Sequence, residues 1–129
     1  MVKIKQAKDI MEKKTVNIRH DATLKEVSEL LIKNRLSGIP VVNNKGSLIG
    51  FISERDIIEA ISQGNFENKK TKDIMTKNVI SINEDTSIEE VSRIFSKHPY
   101  RYIPVCRNKN IVGIVSRKDV IEKLLGQYY

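Results

Sequence analysis

The stretch "GFISERDII" at residues 50–58 returns as "GIVSRKDVI" at residues 113–121. Both stretches place glycine, serine and aspartate at the same spacing, with apolar residues between them. Each predicts a strand that ends at the serine and a helix that begins directly after it. A serine before a helix, followed three residues later by an acid, also matches the helix-capping box. The chain therefore contains the same predicted strand–helix unit twice.

The repetition extends through nearly all of the 129 residues. Three further pairs of segments correspond in order: "KDIM" at 8–11 and 72–75, "DATLKEVS" at 21–28 with "DTSIEEVS" at 85–92, and "GIPVV" at 38–42 with "YIPVC" at 102–106. Residues 8–61 thus match 72–124, and an internal repeat of this length indicates a duplicated structural unit. We predict a first repeat at 1–64, a connector at 65–70 and a second repeat at 71–129.

Each copy predicts the element order β-α-β-β-α. The first strand is "TVNI" or "VISI", and the first helix has an apolar stripe at helical spacing. The two stripes are Leu24, Val27, Leu30 and Leu31 in the first copy, and Ile88, Val91, Ile94 and Phe95 in the second. Thr23 with Glu26, and Ser87 with Glu90, predict capping boxes at the starts of these helices.

A single unit of about 55 residues is marginally stable by itself. Two copies that dock sheet to sheet would cover each other's apolar faces and leave two quasi-equivalent clefts. The predicted fold class is therefore α+β, with two β-α-β-β-α repeats packed sheet to sheet as one pseudo-two-fold module.

Composition restricts the classes of protein and partner. No apolar run approaches the roughly 18 residues of a membrane span, and no signal peptide is recognisable, so we expect no membrane association and a cytoplasmic location. The single Cys106 lies in the apolar run "IPVC", which predicts a packed, inert thiol in a reducing compartment. A net charge of +7 favours anionic partners such as nucleotides, nucleic acid or acidic proteins, but solvated lysines explain it equally well.

The repeated Ser-x-x-Asp has two interpretations. As plain structure, it caps a helix and needs no ligand. As a site, the helix N-terminus attracts phosphate, the serine hydroxyl can bond the phosphate, and the carboxylate can accept both hydroxyls of a ribose. Arg55 stands beside Asp56, and Arg117 and Lys118 stand beside Asp119, where these cations would strengthen phosphate binding.

Other chemistries find little support in the sequence. Histidine, cysteine and acidic residues do not have metal-ligand spacing, and neither G-x-x-x-x-G-K-[ST] nor G-x-G-x-x-G occurs. Ser53 and Ser116 have no histidine nearby in the repeat to act as a base. We therefore predict no catalytic residue and no metal site, and a protein that is not an enzyme.

The whole pattern, in both copies, resembles the CBS (cystathionine-β-synthase) domain family. It consists of Asp-Ile-Met, a strand, an Asp-bearing turn, a helix, an Ile-Pro-Val strand and Gly-h-h-Ser-x-x-Asp, where h is apolar. The resemblance covers essentially the whole chain and indicates a stand-alone tandem CBS pair. It implies a homodimeric regulatory module, with no obligatory cofactor, that binds AMP, ADP, ATP or S-adenosylmethionine and acts on an unidentified partner protein.

The resemblance also implies the site residues. Asp56 and Asp119 correspond to ribose-binding acids, and Ser53 and Ser116 to phosphate-side hydroxyls. The remaining implied contacts are Ile39 and Ile103 beside adenine, Val16 and Ile80 lining the two clefts, and Arg101 on a phosphate. Because the first copy has Ser37 in place of Arg101, we predict that the second-copy site binds phosphorylated nucleotides more tightly.

Two alternatives stay open at this point. The basic charge, with lysines around residues 68–72, is compatible with a nucleic-acid-associated protein, although no helix-turn-helix and no aromatic stacking set is present. The duplicated fold is also compatible with a structural dimerisation module whose ligand sites have degenerated.

Overall fold

The computed structural model describes residues 3–126 of the chain. These residues form two compact units. The first-copy unit comprises Val16–Val79, and the second-copy unit comprises residues 3–15 together with 80–126. The units therefore do not follow the sequence repeats, because the leading "KDIM" segment of each copy belongs to the unit built by the other copy.

The first-copy unit is built on a three-stranded sheet. Its elements in chain order are β1 (Ile18–Arg19), α1 (Leu24–Asn34), β2 (Gly38–Val42), β3 (Leu48–Ser53), α2 (Glu54–Gln63), a 3-10 turn (Phe66–Asn68) and α3 (Thr71–Ile74). The central strand β2 runs parallel to β1 and antiparallel to β3. The predicted strand "TVNI" thus becomes the two-residue strand β1, which begins at the last residue of that stretch.

The second-copy unit repeats this plan with a smaller sheet. Its elements are a 3-10 turn (Ala7–Asp9), α4 (Ile88–Lys97), β4 (Tyr102–Arg107), β5 (Asn110–Ser116) and α5 (Arg117–Leu125), with β4 antiparallel to β5. The predicted strand "VISI" is reduced to one parallel bridge between Ile82 and Val105. The pairing stops there because Asn83 begins a turn, in which its side chain accepts a hydrogen bond from the backbone N–H of Asp85 at 2.9 Å.

The helix starts follow the predicted caps, with one difference. Thr23 and Glu26 form a complete capping box at the start of α1. Ser87 accepts the backbone N–H of Glu90 at 3.1 Å, but the return bond is missing. The carboxylate of Glu90 pairs with Arg93 instead, which is one turn further along α4. The prediction of a second capping box is therefore only half right.

Each unit has its own apolar core. The predicted stripes of α1 and α4 point into these cores, where Val27 and Val91 are fully buried. Branched aliphatic side chains fill most of both interiors, as expected for a chain without tryptophan. The chain is thus an α+β protein with two β-α-β-β-α-like repeats.

None of the helices between residues 3 and 126 has the length and apolar character needed to cross a bilayer.

We call residues 8–12 and 72–76, which contain the two "KDIM" stretches, the exchanged segments. They attach to the edge strands β5 and β3 through the same contacts. The backbone of Glu12 exchanges two hydrogen bonds with Ile114, at 2.8 and 3.0 Å. Thr76 does the same with Phe51, at 2.8 and 2.9 Å. In the second-copy unit, the backbone N–H groups of Lys5 and Gln6 also hold the pKa of the Asp9 carboxyl below its usual value. Each "KDIM" segment is therefore anchored on the strand that leads into the repeated Ser-x-x-Asp.

Candidate functional site

The first-copy site is centred on Ser53 and Asp56, at the junction of β3 and α2. Oδ2 of Asp56 accepts hydrogen bonds from the backbone N–H of Ser53 at 2.9 Å and from its hydroxyl at 3.0 Å. The hydroxyl oxygen in turn accepts the backbone N–H of Asp56 at 3.2 Å. Among the described residues, both hydrogen bonds to the Asp56 carboxylate are on Oδ2 and none is on Oδ1. The helix cap therefore uses one carboxylate oxygen and leaves the other for a further partner.

The second-copy site has the same cap on Ser116 and Asp119, at the junction of β5 and α5. Oδ2 of Asp119 accepts the backbone N–H of Ser116 at 2.9 Å, and the serine hydroxyl accepts the backbone N–H of Asp119 at 3.1 Å. The other oxygen, Oδ1, lies 3.7 Å from Nζ of Lys123. That ammonium also donates to the backbone carbonyl of Ile10 at 2.8 Å. Sequence reasoning missed Lys123, although its spacing of four residues after Asp119 is typical of a helical ion pair.

Arg101 lies next to the second-copy cap. Tyr102 pairs with Ser116 across β4 and β5, and the backbone N–H of Arg117 reaches the carbonyl of Arg101 at 3.4 Å. The Arg101 side chain is exposed. In the first copy, the backbone N–H of Glu54 donates to the carbonyl of Ser37 at 2.9 Å. The two units therefore position a residue at this place in the same way, but only the second supplies a cation.

The other predicted site residues divide by burial. Ile39 and Ile103 are fully buried in the two cores, so their side chains serve packing first. Val16 and Ile80 are half-buried and pack against the same cores. Arg55 and Lys118 are exposed, and Lys118 lies 3.6 Å from Glu122 in an ion pair along α5.

Arg117, which the sequence suggested as a phosphate-side cation, has its guanidinium bonded to backbone carbonyls instead. Its Nε donates to the carbonyl of Tyr100 at 2.7 Å, and its Nη2 donates to the carbonyls of Phe95 and His98 at 2.7 and 2.6 Å. The guanidinium also lies over the ring of Phe95, 5.4 Å from its centre. Arg117 therefore closes the C-terminal end of α4 and fixes the segment that leads to Arg101.

Replacing Arg117 by alanine is expected to lower the free energy of unfolding by about 2 kcal/mol, because several charge-assisted hydrogen bonds are lost together. Arg117→Lys should restore less than half of this, since a single ammonium does not match the planar guanidinium. Urea denaturation measures both. Lys118→Ala is the control, and its exposed ion pair predicts a cost below about 0.5 kcal/mol. An equal loss of unfolding free energy in Arg117→Ala and Lys118→Ala would contradict the proposed structural role of Arg117.

Two further polar features of the second-copy unit are structural. Arg107 binds Glu84 through two nitrogens, with distances between 2.8 and 3.1 Å, and so ties the end of β4 to the turn before α4. Cys106 is buried, as predicted, and its burial raises the pKa of the thiol. Within residues 3–126, no cluster of three or more histidine, cysteine or acidic side chains could hold a metal ion.

Comparison with known proteins identifies the family. The model of the CBS domain matches residues 7–63 and again residues 72–126. Because the two matches span most of the chain, this protein belongs to the CBS domain family. The repeated Ser-x-x-Asp lies inside both matched ranges.

Solved structures of CBS-domain pairs have the same fold. The CBS domain pair of protein MJ0100, in complex with 5′-methylthioadenosine and S-adenosyl-L-methionine, is 33% identical with a TM-score of 0.83, covering 98% of this chain and 100% of that one. CBSX2 in complex with AMP has a TM-score of 0.85 at 22% identity, over 96% and 98% of the two chains. At that identity, the likeness to CBSX2 concerns the fold alone.

Among curated relatives, the L-aspartate semialdehyde sulfurtransferase of Methanocaldococcus jannaschii is 36% identical over 121 residues. The match covers 92% of this chain but only 23% of that enzyme. The similarity thus concerns less than a quarter of that enzyme's length.

Proposed function

We propose that this chain is a regulatory module that binds adenosine compounds at the first-copy and second-copy sites and acts on a partner protein in trans. AMP, ADP and ATP are the proposed ligands, and S-adenosylmethionine is a further candidate. Membership in the CBS family supports this, together with the adenosine compounds bound to the 33% identical CBS pair of MJ0100. A reducing compartment such as the cytoplasm is part of the proposal, supported by the single buried thiol of Cys106.

The main support is the state of the two aspartates. A capping box alone needs one carboxylate oxygen, and in both units only Oδ2 is used in the cap. Oδ1 of Asp56 and Oδ1 of Asp119 remain for hydroxyl donors, apart from the long ion pair of Asp119 with Lys123. A vicinal diol, such as that of a ribose, matches an acceptor of this kind. The serine and the aspartate would thus cap the helix and bind the ligand at the same time.

Regulation would follow from differential binding. A ligand changes the equilibrium between two arrangements of a protein only by the difference in its affinity for them. An adenosine compound that favours one arrangement would bias contact with the regulated protein. The two caps share the same backbone bonds but differ in their surroundings, and this difference would allow the module to respond to more than one ligand.

Ligand-induced stabilisation tests the proposal. At about 100 times its Kd, a ligand should raise the free energy of unfolding by about 2.7 kcal/mol. The double variant Asp56→Ala/Asp119→Ala should lose this gain for every adenosine compound, whereas the exposed Asp85→Ala should keep it. Thermal melts and calorimetry with AMP, ADP, ATP and S-adenosylmethionine measure the effect, each variant being compared with its own ligand-free baseline.

Two results would overturn the adenosine proposal. One is a wild-type melt that no adenosine compound shifts, and the other is an undiminished shift in the double variant. Tight binding of a short oligonucleotide that collapses at high salt would favour a nucleic-acid-associated protein instead.

We further propose that the functional form is a homodimer formed through α2 and α5. Ile58 and Ile121 occupy the same position in the two copies and are 64% and 58% exposed. Ile61 and Leu125 on the same helices are also largely exposed. Exposed apolar residues at matching places in both copies are typical of a surface that another molecule covers. A second copy of the chain would cover both helices with the same chemistry.

The variant Ile58→Lys/Ile121→Lys is expected to be monomeric where the wild type is dimeric, because two buried charges would oppose association. Size-exclusion chromatography with light scattering measures the mass. Ile32→Lys is the matched control, since Ile32 is 78% exposed but lies on α1. A monomeric wild type, or an unchanged dimer in the double variant, would refute this interface.

A further inference from the structure

The two sites differ in the side chain that lies opposite the aspartate carboxylate. In the second-copy unit, Lys123 Nζ lies 3.7 Å from Asp119 and is held by the carbonyl of Ile10 at 2.8 Å. The lysine side chain is 38% exposed and the aspartate side chain 18%, so solvent screens this pair only in part. The first copy has Ala60 at the position of Lys123. Asp56 therefore has no equivalent countercharge among the described residues.

The helices that begin at the two sites also differ in net charge, and the helix of the second-copy site is the more positive one. The first-copy helix α2 contains three carboxylates and one arginine, which gives a net charge of −2. The second-copy helix α5 contains three cations and two carboxylates, which gives +1. The cation Arg101 next to the second-copy cap has the neutral Ser37 as its counterpart. Every difference makes the second-copy site more favourable for an anion.

A phosphate group would respond strongly to this contrast. A 5′ phosphate is carried on the same sugar ring as the ribose diol. A nucleotide whose diol binds the aspartate would therefore hold its phosphate within the screening length, about 8 Å, of that carboxylate. At such distances, an uncompensated carboxylate repels a phosphate and attracts a cation, and the partly buried surroundings weaken the screening. The same carboxylate, neutralised by a fixed ammonium, does neither.

We propose that the two sites of this chain select ligands of different charge. This proposal rests on the adenosine-binding function proposed above. The second-copy site takes a phosphorylated adenosine compound. The first-copy site takes an uncharged or cationic adenosine compound and discriminates against phosphate. Lys123 sets the difference, because it compensates the charge of the Asp119 carboxylate while anchored on Ile10.

A pair of ligands that differ only in the phosphate, adenosine and AMP, tests the selection. Asp56→Ala leaves the second-copy site intact, and Asp119→Ala leaves the first-copy site intact. Calorimetry on each variant of the 129-residue chain should show AMP binding at least tenfold more tightly than adenosine to Asp56→Ala. Asp119→Ala should bind adenosine at least as tightly as AMP, and S-adenosylmethionine should resemble adenosine there.

Lys123 is tested in the Asp56→Ala background. Lys123→Ala should weaken AMP about tenfold, which corresponds to about 1.4 kcal/mol, while adenosine affinity changes less than twofold. Lys123→Arg should restore AMP binding, because it keeps the charge. Lys97→Ala removes a similar exposed charge from α4 and is the control. Glu54 is exposed at the start of α2, so Glu54→Arg adds a cation at the first-copy site. It should therefore improve AMP binding in the Asp119→Ala background.

Three outcomes distinguish a failure of the selection by charge, a failure of the role of Lys123 and a failure of adenosine binding. Equal AMP-to-adenosine ratios at the two sites would overturn the selection by charge but leave adenosine binding standing. A loss of adenosine affinity in Lys123→Ala as large as the loss for AMP would reduce Lys123 to a purely structural residue and overturn its proposed role. If neither ligand binds the wild type, the adenosine-binding function itself fails, and the selection fails with it.

Discussion

Gly113→Val is expected to lower the free energy of unfolding by about 3 kcal/mol, as overpacking of a tight interior contact does. A Cβ at this position would lie 2.5 Å from Sδ of Met11 and 3.2 Å from the backbone carbonyl of Glu12. Met11 can move aside, but the carbonyl oxygen belongs to the backbone that pairs with Ile114. A valine would therefore push the exchanged segment off β5. Urea denaturation measures the loss.

The matched control is Gly126→Val, because a Cβ there would meet nothing within 4 Å. Its expected cost is below about 0.5 kcal/mol, the usual range for a surface substitution. Met11→Ala should recover part of the loss in the milder variant Gly113→Ala, since it removes the side chain that the new Cβ meets. A cost for Gly113→Val no larger than that of the control would show that the segment does not need this close approach.

Ile103→Ala is expected to lower the free energy of unfolding by about 4 kcal/mol, within the range measured for large-to-small changes in protein cores. Ile103 is fully buried in the second-copy core, which also contains Val91, and it pairs with Val115 across β4 and β5. Its strand is fixed on both sides, by β5 and by the bridge from Ile82, so the cavity cannot collapse easily. Chemical denaturation of the ligand-free protein gives the value.

Ile32→Ala makes the same chemical change at a side chain that is 78% exposed, and it should cost less than about 1 kcal/mol. Ile39→Ala, the counterpart of Ile103 in the first-copy core, should cost nearly as much as Ile103→Ala. If Ile103→Ala proved as mild as Ile32→Ala, the residue would not be part of the folding core, and a role limited to ligand contact would be favoured.

Sequence reasoning succeeded for features that depend on neighbours along the chain. The duplication, the apolar stripes of α1 and α4, and the Ser53–Asp56 cap need only local spacing, and the structure has all of them. It was less accurate where a side chain had a competing partner. Glu90 binds Arg93 rather than completing its capping box, and the turn at Asn83 cuts short the strand before it.

The glycine of the repeated stretch shows how the structure sharpened a residue's role. The sequence showed only that Gly50 and Gly113 recur at the same place in the two copies. In both units, the approaching group is the methionine of the exchanged segment, with the following backbone carbonyl about 3 Å from the position of a Cβ. A repeat reveals which segments are alike, but similarity does not tell which copy packs with which.

From the sequence alone came the β-α-β-β-α order and the aspartates that complete the caps of α2 and α5, because these follow from periodicity and from bonds within a few residues. The family came from the resemblance of the repeated motifs to the CBS domain. Only the tertiary structure decided that each "KDIM" segment joins the other copy's unit, that Arg117 closes the end of α4, and that Lys123 faces Asp119 while anchored on Ile10. These contacts join residues far apart in the chain. Their energies depend on distances and burial that exist only once the chain has folded.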